Sequence, residues 1–312
     1  MSEICLVTGG AGFIGSHLVE SLIEQGRCVR VLDDFSTGLR ANLAHLHPAP
    51  EIIEGDVADA AVVERAARDA GVIFHLAALA SVQRSVEAPG DTHRVCATGT
   101  LHVLDAARRA GARRVVYAAS SSAYGIPIGD VQNESDPLQP LSPYAAAKLA
   151  GEMYARSFTA AFGLETVRLR FFNIFGPRQR ADSPYSGVIA LFTAALSAGR
   201  EPTIYGDGLQ SRDFTFVSDV AQALTRAAEV PEVSGRVYNI GTGRSVSVLD
   251  LIAALNRQLG TAIAPRHEPA RSGDVRHSRA DISAARCDLG YEPAVSFEEG
   301  LAKTLAWYRQ QR

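Results

Sequence analysis

Residues 3–26, EICLVTGGAGFIGSHLVESLIEQG, constrain the fold of this chain more than any other stretch. The segment opens with an apolar run, ICLV, that reads as a buried strand. A turn with Gly9, Gly12 and Gly15 follows, and then Phe13, Ile14, Leu18 and Leu22 recur at helical spacing up to Gly26. The glycine spacing is GxxGxxG. Glycine removes Cβ where backbone approaches a pyrophosphate and where helix meets strand. The helix N-terminus adds free N–H groups and the positive end of its dipole. A second strand-like run, CVRVLDD, ends at Asp33, about 20 residues past the glycines, where a carboxylate partner for a ribose belongs. That carboxylate repels a 2′-phosphate, so NAD is expected over NADP. Arg30 and Arg40 moderate the preference.

The pattern continues in kind. Strand-like runs ICLV, VRVLD, EIIEGD, VIFHLA, RVVYAAS and ETVRLRFF alternate with helical stretches such as AAVVERAARDAG and ATGTLHVLDAARRAG. This alternation predicts an α/β, Rossmann-type doubly wound parallel sheet with helices on both faces. After Asn173 the pattern loosens. GPRQRADSPYSG reads as an ordered loop over a ligand, a helix is expected over 188–198, and short strands and turns follow. Ser247 with Asp250 and Ser296 with Glu299 mark two late helix starts as capping boxes. The expected division is a dinucleotide domain at 1–173, with about 214–245 returning to the sheet. A smaller C-terminal substrate lobe would comprise about 174–213 and 246–312.

Composition closes off other classes. Net charge is -3 with no basic block, which speaks against nucleic acid or anionic membrane partners. No apolar run approaches membrane-spanning length, and the first strand begins almost at once, with no signal peptide. Cys5, Cys28, Cys96 and Cys287 are scattered without metal-ligand spacing, so they read as reduced thiols of a cytoplasmic protein, and no metal is expected. His75, beside the run VIF, reads as a packed strand residue.

The chemistry sits mid-chain. Tyr144 and Lys148 are four apart in SPYAAAKLAGEMYARSF, which puts both on one helix face. A free tyrosine titrates near pH 10. A nearby ammonium favours the phenolate, so Tyr144 becomes a candidate proton acceptor for a hydroxyl. Ser120 ends the run RVVYAAS and so falls at a strand's C-terminal edge, where open α/β sheets bind ligands.

TGGAGFIG, GDV, HLAA, SSSAYG, PYAAAK, FFNIFGP and SRDFTFVSDV, in this order, resemble the extended short-chain dehydrogenase/reductase family, and within it the nucleotide-sugar 4-epimerases. The resemblance runs from residue 4 to about residue 310. It implies tightly bound NAD, regenerated in each cycle, and a nucleoside diphosphate sugar in the C-terminal lobe. Gly9, Gly12, Phe13, Ile14 and Gly15 would line the pyrophosphate. Asp33 would hold the adenosine ribose, with Ser36, Thr37 and Gly38 beside it, and Asp56 and Val57 would flank the adenine. Leu76, Ala77 and Ala78 would run past the middle of the cofactor. Ser120, Tyr144 and Lys148 match the catalytic triad. Asn173 matches a residue bonding the sugar diphosphate, and Val188 lies where the nucleotide is held. Thr203, Ile204 and Tyr205 would contact the uracil and its ribose. Arg212, Arg271 and Asp274 would grip the diphosphate and the uridine ribose.

The resemblance also implies the reaction. Tyr144 takes the proton of the sugar's 4-hydroxyl, Ser120 bonds the same oxygen, a 4-keto sugar forms, turns, and is reduced on its other face. Dehydratases of this kind carry an Asp–Glu pair where this chain has Ser121 and Ser122, and decarboxylases usually carry Glu at the second position. Hydroxyls cannot replace an acid–base carboxylate pair. Counting from Arg271 and Asp274, Ser278 occupies the position lining the sugar's C2 side, where a Tyr would crowd an N-acetyl group. The reading is NAD-dependent 4-epimerisation of UDP-GlcNAc and UDP-GalNAc. A UDP-glucose/UDP-galactose 4-epimerase is the alternative, then a UDP-glucuronate decarboxylase or another nucleotide-sugar reductase. An NAD-binding sensor without catalysis would not need Ser120, Tyr144 and Lys148 together. Two positions depart from the family pattern: Cys96 stands for the usual Asn and Ala80 for a Lys. The helices at 92–110 and 144–162 match those that pair across a homodimer in the family.

Overall fold

The computed structural model describes residues 3–180, 187–270 and 275–310. Strand β1 (Ile4–Thr8) leads through the glycine turn into helix α1 (Phe13–Glu24). Then follow β2 (Cys28–Asp33), β3 (Glu51–Glu54), α2 (Ala60–Ala67) and β4 (Ala70–His75). Short helices α3 (Val82–Glu87) and α4 (Pro89–His93) precede a π-helical turn at Arg94–Thr98, α5 (Gly99–Ala110) and β5 (Arg114–Ser120). A 3-10 turn at Ser121–Tyr124 separates β5 from α6 (Pro143–Phe162), after which come β6 (Glu165–Phe171), β7 (Asn173–Phe175) and α7 (Val188–Ser197). The remainder comprises β8 (Thr203–Tyr205), β9 (Ser211–Arg212), β10 (Phe214–Phe216), α8 (Val217–Glu229), β11 (Val237–Ile240) and β12 (Val246–Ser247). It ends with α9 (Val248–Leu259), β13 (Arg266–Glu268), α10 (Ser283–Leu289) and α11 (Phe297–Gln310).

Seven strands form one parallel sheet in the order β11-β6-β5-β4-β1-β2-β3. The winding reverses between β1 and β4, and there the C-terminal strand ends open a crevice. Helices α1 and α8 cover one face, and α2, α5 and α6 the other. A third core belongs to the smaller lobe. It gathers Phe175, Phe214, Phe216 and Phe297 with residues of α7, α9 and α11.

The sheet therefore forms as the alternation of runs predicts, and β11, from the VYNIG run, pairs with β6 at its edge. Both capping boxes form: Ser247 Oγ accepts from Asp250 N at 3.0 Å and Ser296 Oγ from Glu299 N at 3.2 Å. Three local boundaries differ. The helix expected over 60–71 stops at Ala67, because Asp69 turns the chain with φ 62 and β4 starts at Ala70. The stretch 97–111 is interrupted by the π-helical turn. Residues 214–216 pair with β7 rather than with the main sheet.

The glycine turn is held by contact distance. A Cβ on Gly9 (φ +70) would stand 2.8 Å from Ala77 N, and one on Gly15 would collide with the Gly9 carbonyl oxygen. Gly15→Ala is expected to cost about 1–3 kcal/mol, the range for overpacking, and to weaken NAD binding. Gly90→Ala, with nothing within 4 Å of the added methyl, should change neither. Thermal unfolding and calorimetric titration with NAD check both variants.

Candidate active site

A cleft of about 1140 Å³ runs along the C-terminal ends of β1, β4 and β5 and under the smaller lobe. Its nucleotide end is built by the glycine turn. The first turn of α1 has no side-chain cap, so its N–H groups are available to an anion. Gly9, Gly12, Phe13, Ile14 and Gly15 all line the cleft. Asp33, 7% exposed at the end of β2, accepts from Ala11 N and Phe35 N, each at 2.9 Å. Burial raises its pKa and these bonds lower it. Gly38 lies against that carboxylate: a Cβ there would stand 2.9 Å from Asp33 Oδ1. Ser36 and Thr37 line the cleft, Ser36 bonding Asp34 through N at 2.9 Å and Oγ at 2.7 Å. Arg30 donates to Glu51 at 2.7 Å and to the Ala66 carbonyl, and Arg40 pairs with Glu54. Both arginines expected to moderate the cofactor preference are thus engaged by carboxylates. Asp56, paired with Arg94 and held low by that guanidinium and the Ala58 N–H, lines the cleft with Val57.

Leu76, Ala77 and Ala78 form the middle of the floor. Beneath them lies a buried polar chain. Thr100 Oγ1 donates to the Cys96 carbonyl at 2.6 Å and stands 2.9 Å from His75 Nε2. His75 Nε2 therefore carries the proton and donates to Thr100, and Nδ1 accepts from Thr8 Oγ1 at 2.7 Å. Thr8 Oγ1 also accepts from Ala77 N at 3.3 Å. Burial drives the His75 pKa down to about 3, so the ring is neutral and structural, as its place in the apolar run indicates.

At the chemical end, Tyr144 and Lys148 project from the first turns of α6, whose N-cap Ser142 accepts from Ala145 N. Ser120 lies near enough to the Tyr144 hydroxyl to favour its phenolate. Ser120 Oγ lies 2.8 Å from Ser122 Oγ and accepts from Ser122 N at 3.2 Å. Lys148 is 3% exposed, with Nζ 4.3 Å from the centroid of the Tyr117 ring. The Tyr117 hydroxyl donates to the Lys148 carbonyl at 3.0 Å. One expectation is reversed here. Proximity to an ammonium was to lower the Tyr144 pKa, yet burial pushes it up to about 12 and pushes Lys148 down to about 8. Desolvation disfavours the charged form of each, and the opposing pull on Tyr144 comes from Ser120 rather than from Lys148. Cys96 is fully buried in the π-helical turn, packed on Ala97 and Ala147 with Ala78 and Ala150. Where the family's Asn would offer hydrogen bonds, the thiol fills an apolar gap.

Asn173, Val188, Arg212 and Ser278 line the substrate end, as do Ser121 and Ser122 nearer the floor. Thr203, Ile204 and Tyr205 form β8, which pairs with β13, and none of them lines the cleft; Ile204 is buried in the lobe core. Arg271 and Asp274 lie outside the described residues. Among the lining residues that sequence reasoning missed are Tyr124, Gln132, Arg178 and Gln179. Tyr124 closes the SSSAYG motif and Arg178 and Gln179 stand in the GPRQR run, so motif position could have found these three. Gln132 carried no signal. Among the described residues no helix is long and apolar enough to cross a membrane.

A parallel sheet with its glycine turn and acidic ribose position, facing a Ser–Tyr–Lys set, defines a nucleotide-dependent oxidoreductase-type enzyme. Residues 5–241 match the NAD dependent epimerase/dehydratase family, and the chain belongs to that family. It is 41% identical over 310 residues to a UDP-glucose 4-epimerase of Mycolicibacterium smegmatis, covering 98% of each chain. It superposes at TM-score 0.95, 38% identity and full coverage of both chains on a UDP-N-acetylglucosamine 4-epimerase of Methanobrevibacter ruminantium, solved with UDP-N-acetylmuramic acid. A UDP-glucose 4-epimerase of Thermotoga maritima, solved with UDP-glucose, matches at TM-score 0.93 and 38% identity over 99% of each chain. The chain is an NAD-dependent enzyme of that epimerase/dehydratase family, and UDP-sugar 4-epimerases are among its relatives.

The buried histidine yields a pH dependence. As pH falls below 6.5 the unfolded chain binds a proton that folded His75 refuses until about 3. Stability therefore falls with pH in that window, by about 2 kcal/mol between pH 7 and 5 from this group. His75→Gln, which keeps a donor and an acceptor, should flatten that slope when urea midpoints are compared at the two pH values.

Proposed function

We propose that this enzyme interconverts the C4 epimers UDP-GlcNAc and UDP-GalNAc, acting less well on UDP-Glc and UDP-Gal. The observation that carries the substrate choice is Ser278, half-buried in the cleft wall where a larger residue would crowd a C2 acetamide. Catalytic roles fall to Ser120, Tyr144 and Lys148. The α1 N-terminus and the glycine turn would hold the pyrophosphate, Asp33 the adenosine ribose with Ser36, Thr37 and Gly38 beside it, and Asp56 and Val57 the adenine. The middle of the cofactor would run past Leu76, Ala77 and Ala78. NAD, when bound, supplies the hydride acceptor and donor for the sugar's C4. Tyr144 takes the 4-hydroxyl proton and returns it after the 4-keto sugar has turned. Ser120, beside Tyr144, holds the same oxygen and relays the proton. Lys148 adds positive charge that favours the phenolate. Asn173, Val188, Arg212, Arg271 and Asp274 are assigned to the UDP portion, the arginines through charge-assisted bonds to phosphate; the β8 residues Thr203, Ile204 and Tyr205, which do not line the cleft, are left out of it.

A UDP-glucose/UDP-galactose 4-epimerase is the second reading, favoured by the Mycolicibacterium smegmatis relative. Decarboxylation and dehydration are disfavoured by the hydroxyls of Ser121 and Ser122. A cytoplasmic homodimer completes the proposal. Tyr154 and Phe162 are exposed about 80° apart on one side of α6, an apolar face fit for a second copy; Tyr154→Glu should shift light-scattering mass from dimer to monomer.

Proton NMR of the protein with UDP-GlcNAc and no added NAD tests the function. UDP-GalNAc is the expected product. Conversion of UDP-Gal alone would leave epimerisation standing and remove the acetamide preference. Tyr144→Phe should lower kcat about 10²–10⁴-fold, the usual weight of general acid–base catalysis; near-native turnover would remove Tyr144 from the mechanism.

A further inference from the structure

Gln132 lies between the Ser121–Tyr124 turn and α6, in the cleft wall, and is only 2% exposed. Its backbone is clamped on both sides. The N–H donates to the Arg279 carbonyl at 2.8 Å, and the carbonyl accepts from Asp281 N at 2.8 Å and Asn239 Nδ2 at 2.9 Å. Its side-chain Oε1 accepts from Arg279 N at 3.0 Å and from Ser278 Oγ at 3.4 Å. A backbone N–H can only donate, so the atom facing it must be the amide oxygen, and the two ends of the carboxamide are identified. The other end, Nε2, is buried and has no hydrogen-bond partner among the described residues.

A buried donor without an acceptor is costly, and an apolar residue of the same length would carry no such cost. Nε2 is closed to solvent in this arrangement of the wall, so it gains an acceptor only when the carboxamide or the wall shifts to meet whatever fills the cleft. The position is informative as well. Ser278 gives its proton to Gln132, which leaves the lone pairs of Ser278 as an acceptor, and Nε2 belongs to the residue just behind it. An N-acyl group on the sugar presents the matching pair, an N–H close to the ring and a carbonyl that reaches further into the wall. A hydroxyl at the same carbon reaches only the first of these. From this we infer that Gln132 is a specificity-determining residue whose Nε2 donates to the carbonyl of an N-acyl substituent on the substrate sugar. The inference rests on the substrate reading above and names the donor that reading lacks.

The test compares kcat/KM for UDP-GlcNAc and UDP-Glc in the wild type, Gln132→Met and Gln132→Glu. Methionine keeps the length and removes both polar ends; glutamate keeps the acceptor for Arg279 and Ser278 and removes the donor. Both variants are expected to lose about tenfold on UDP-GlcNAc, mostly through KM, with UDP-Glc held within about twofold. A wild-type ratio in Gln132→Glu would overturn the inference, as would equal losses on both sugars, which mark a structural role only. Failure of the substrate reading looks different: the wild type itself would not turn over UDP-GlcNAc. Calorimetric titration then decides, because an affinity for UDP-GlcNAc that falls in the folded variants while that for UDP-Glc stays keeps Gln132 in this role, and unchanged affinity removes it.

Discussion

Arg170 is the buried cation on which both ends of the site depend. Its guanidinium holds Glu152 with two bonds, at 2.6 and 3.0 Å, and donates to the Tyr124 hydroxyl at 2.8 Å and the Glu134 carbonyl at 3.2 Å. Glu152 stands one turn beyond Lys148, so the pair pins the catalytic helix to β6. Tyr124 ends the serine turn and donates to Asn239 at 2.6 Å. Asn239 in turn donates to the carbonyls of Gln132 and Asp281, and its N–H donates to Glu134 at 2.7 Å. One charge therefore joins α6, β6, the serine turn, β11 and the wall that carries Gln132. Glu152 and Tyr124 hold the guanidinium firmly protonated. Such a pair contributes little net stability against an apolar replacement, but removing one partner costs about 3–5 kcal/mol. Its value lies in position, because a fully bonded buried network admits one geometry.

The dinucleotide half solves a different problem with fewer means. A parallel sheet places all its C-terminal strand ends on one edge, and the reversal between β1 and β4 leaves room there. The glycine turn packs so closely against Leu76–Ala77 at Gly9, and against the start of α1 at Gly15, that side chains there have no space. Polar groups buried under this floor, from Thr8 through His75 to Thr100, are satisfied by one another. The floor is thus rigid without any contact to a ligand, which suits a cofactor that is to remain bound.

What the sequence made legible was local. The glycine turn, Asp33 at a strand end, Ser120 at another and the Tyr144–Lys148 pair on one helix face each follow from spacing within a single element. The parallel, doubly wound sheet followed from the alternation of strand-like runs with helices. What stayed hidden depends on distant partners. Gln132 acquires meaning only because residues 278–281 return beside it, across about half the chain. The reversed direction of the Tyr144 pKa has the same origin, since spacing reports a neighbouring charge but not desolvation. The early start of β4 turned on Asp69 adopting a left-handed conformation, which no periodicity encodes.

These two kinds of legibility follow the division of labour in the molecule. Chemistry common to a whole family is built at the rigid sheet edge from residues fixed by local spacing, and it reads out in motifs. On the proposed reading, sugar choice is built where the smaller lobe folds back on the sheet, from Ser278 and Gln132, which lie far apart in sequence and share one hydrogen-bonded wall. Changing that wall leaves Ser120, Tyr144 and Lys148 untouched, because the link between the two regions runs through backbone carbonyls and Asn239 rather than through the reacting groups. A fold arranged this way can alter its substrate by single substitutions at the lobe boundary while its catalytic geometry stays anchored on Arg170.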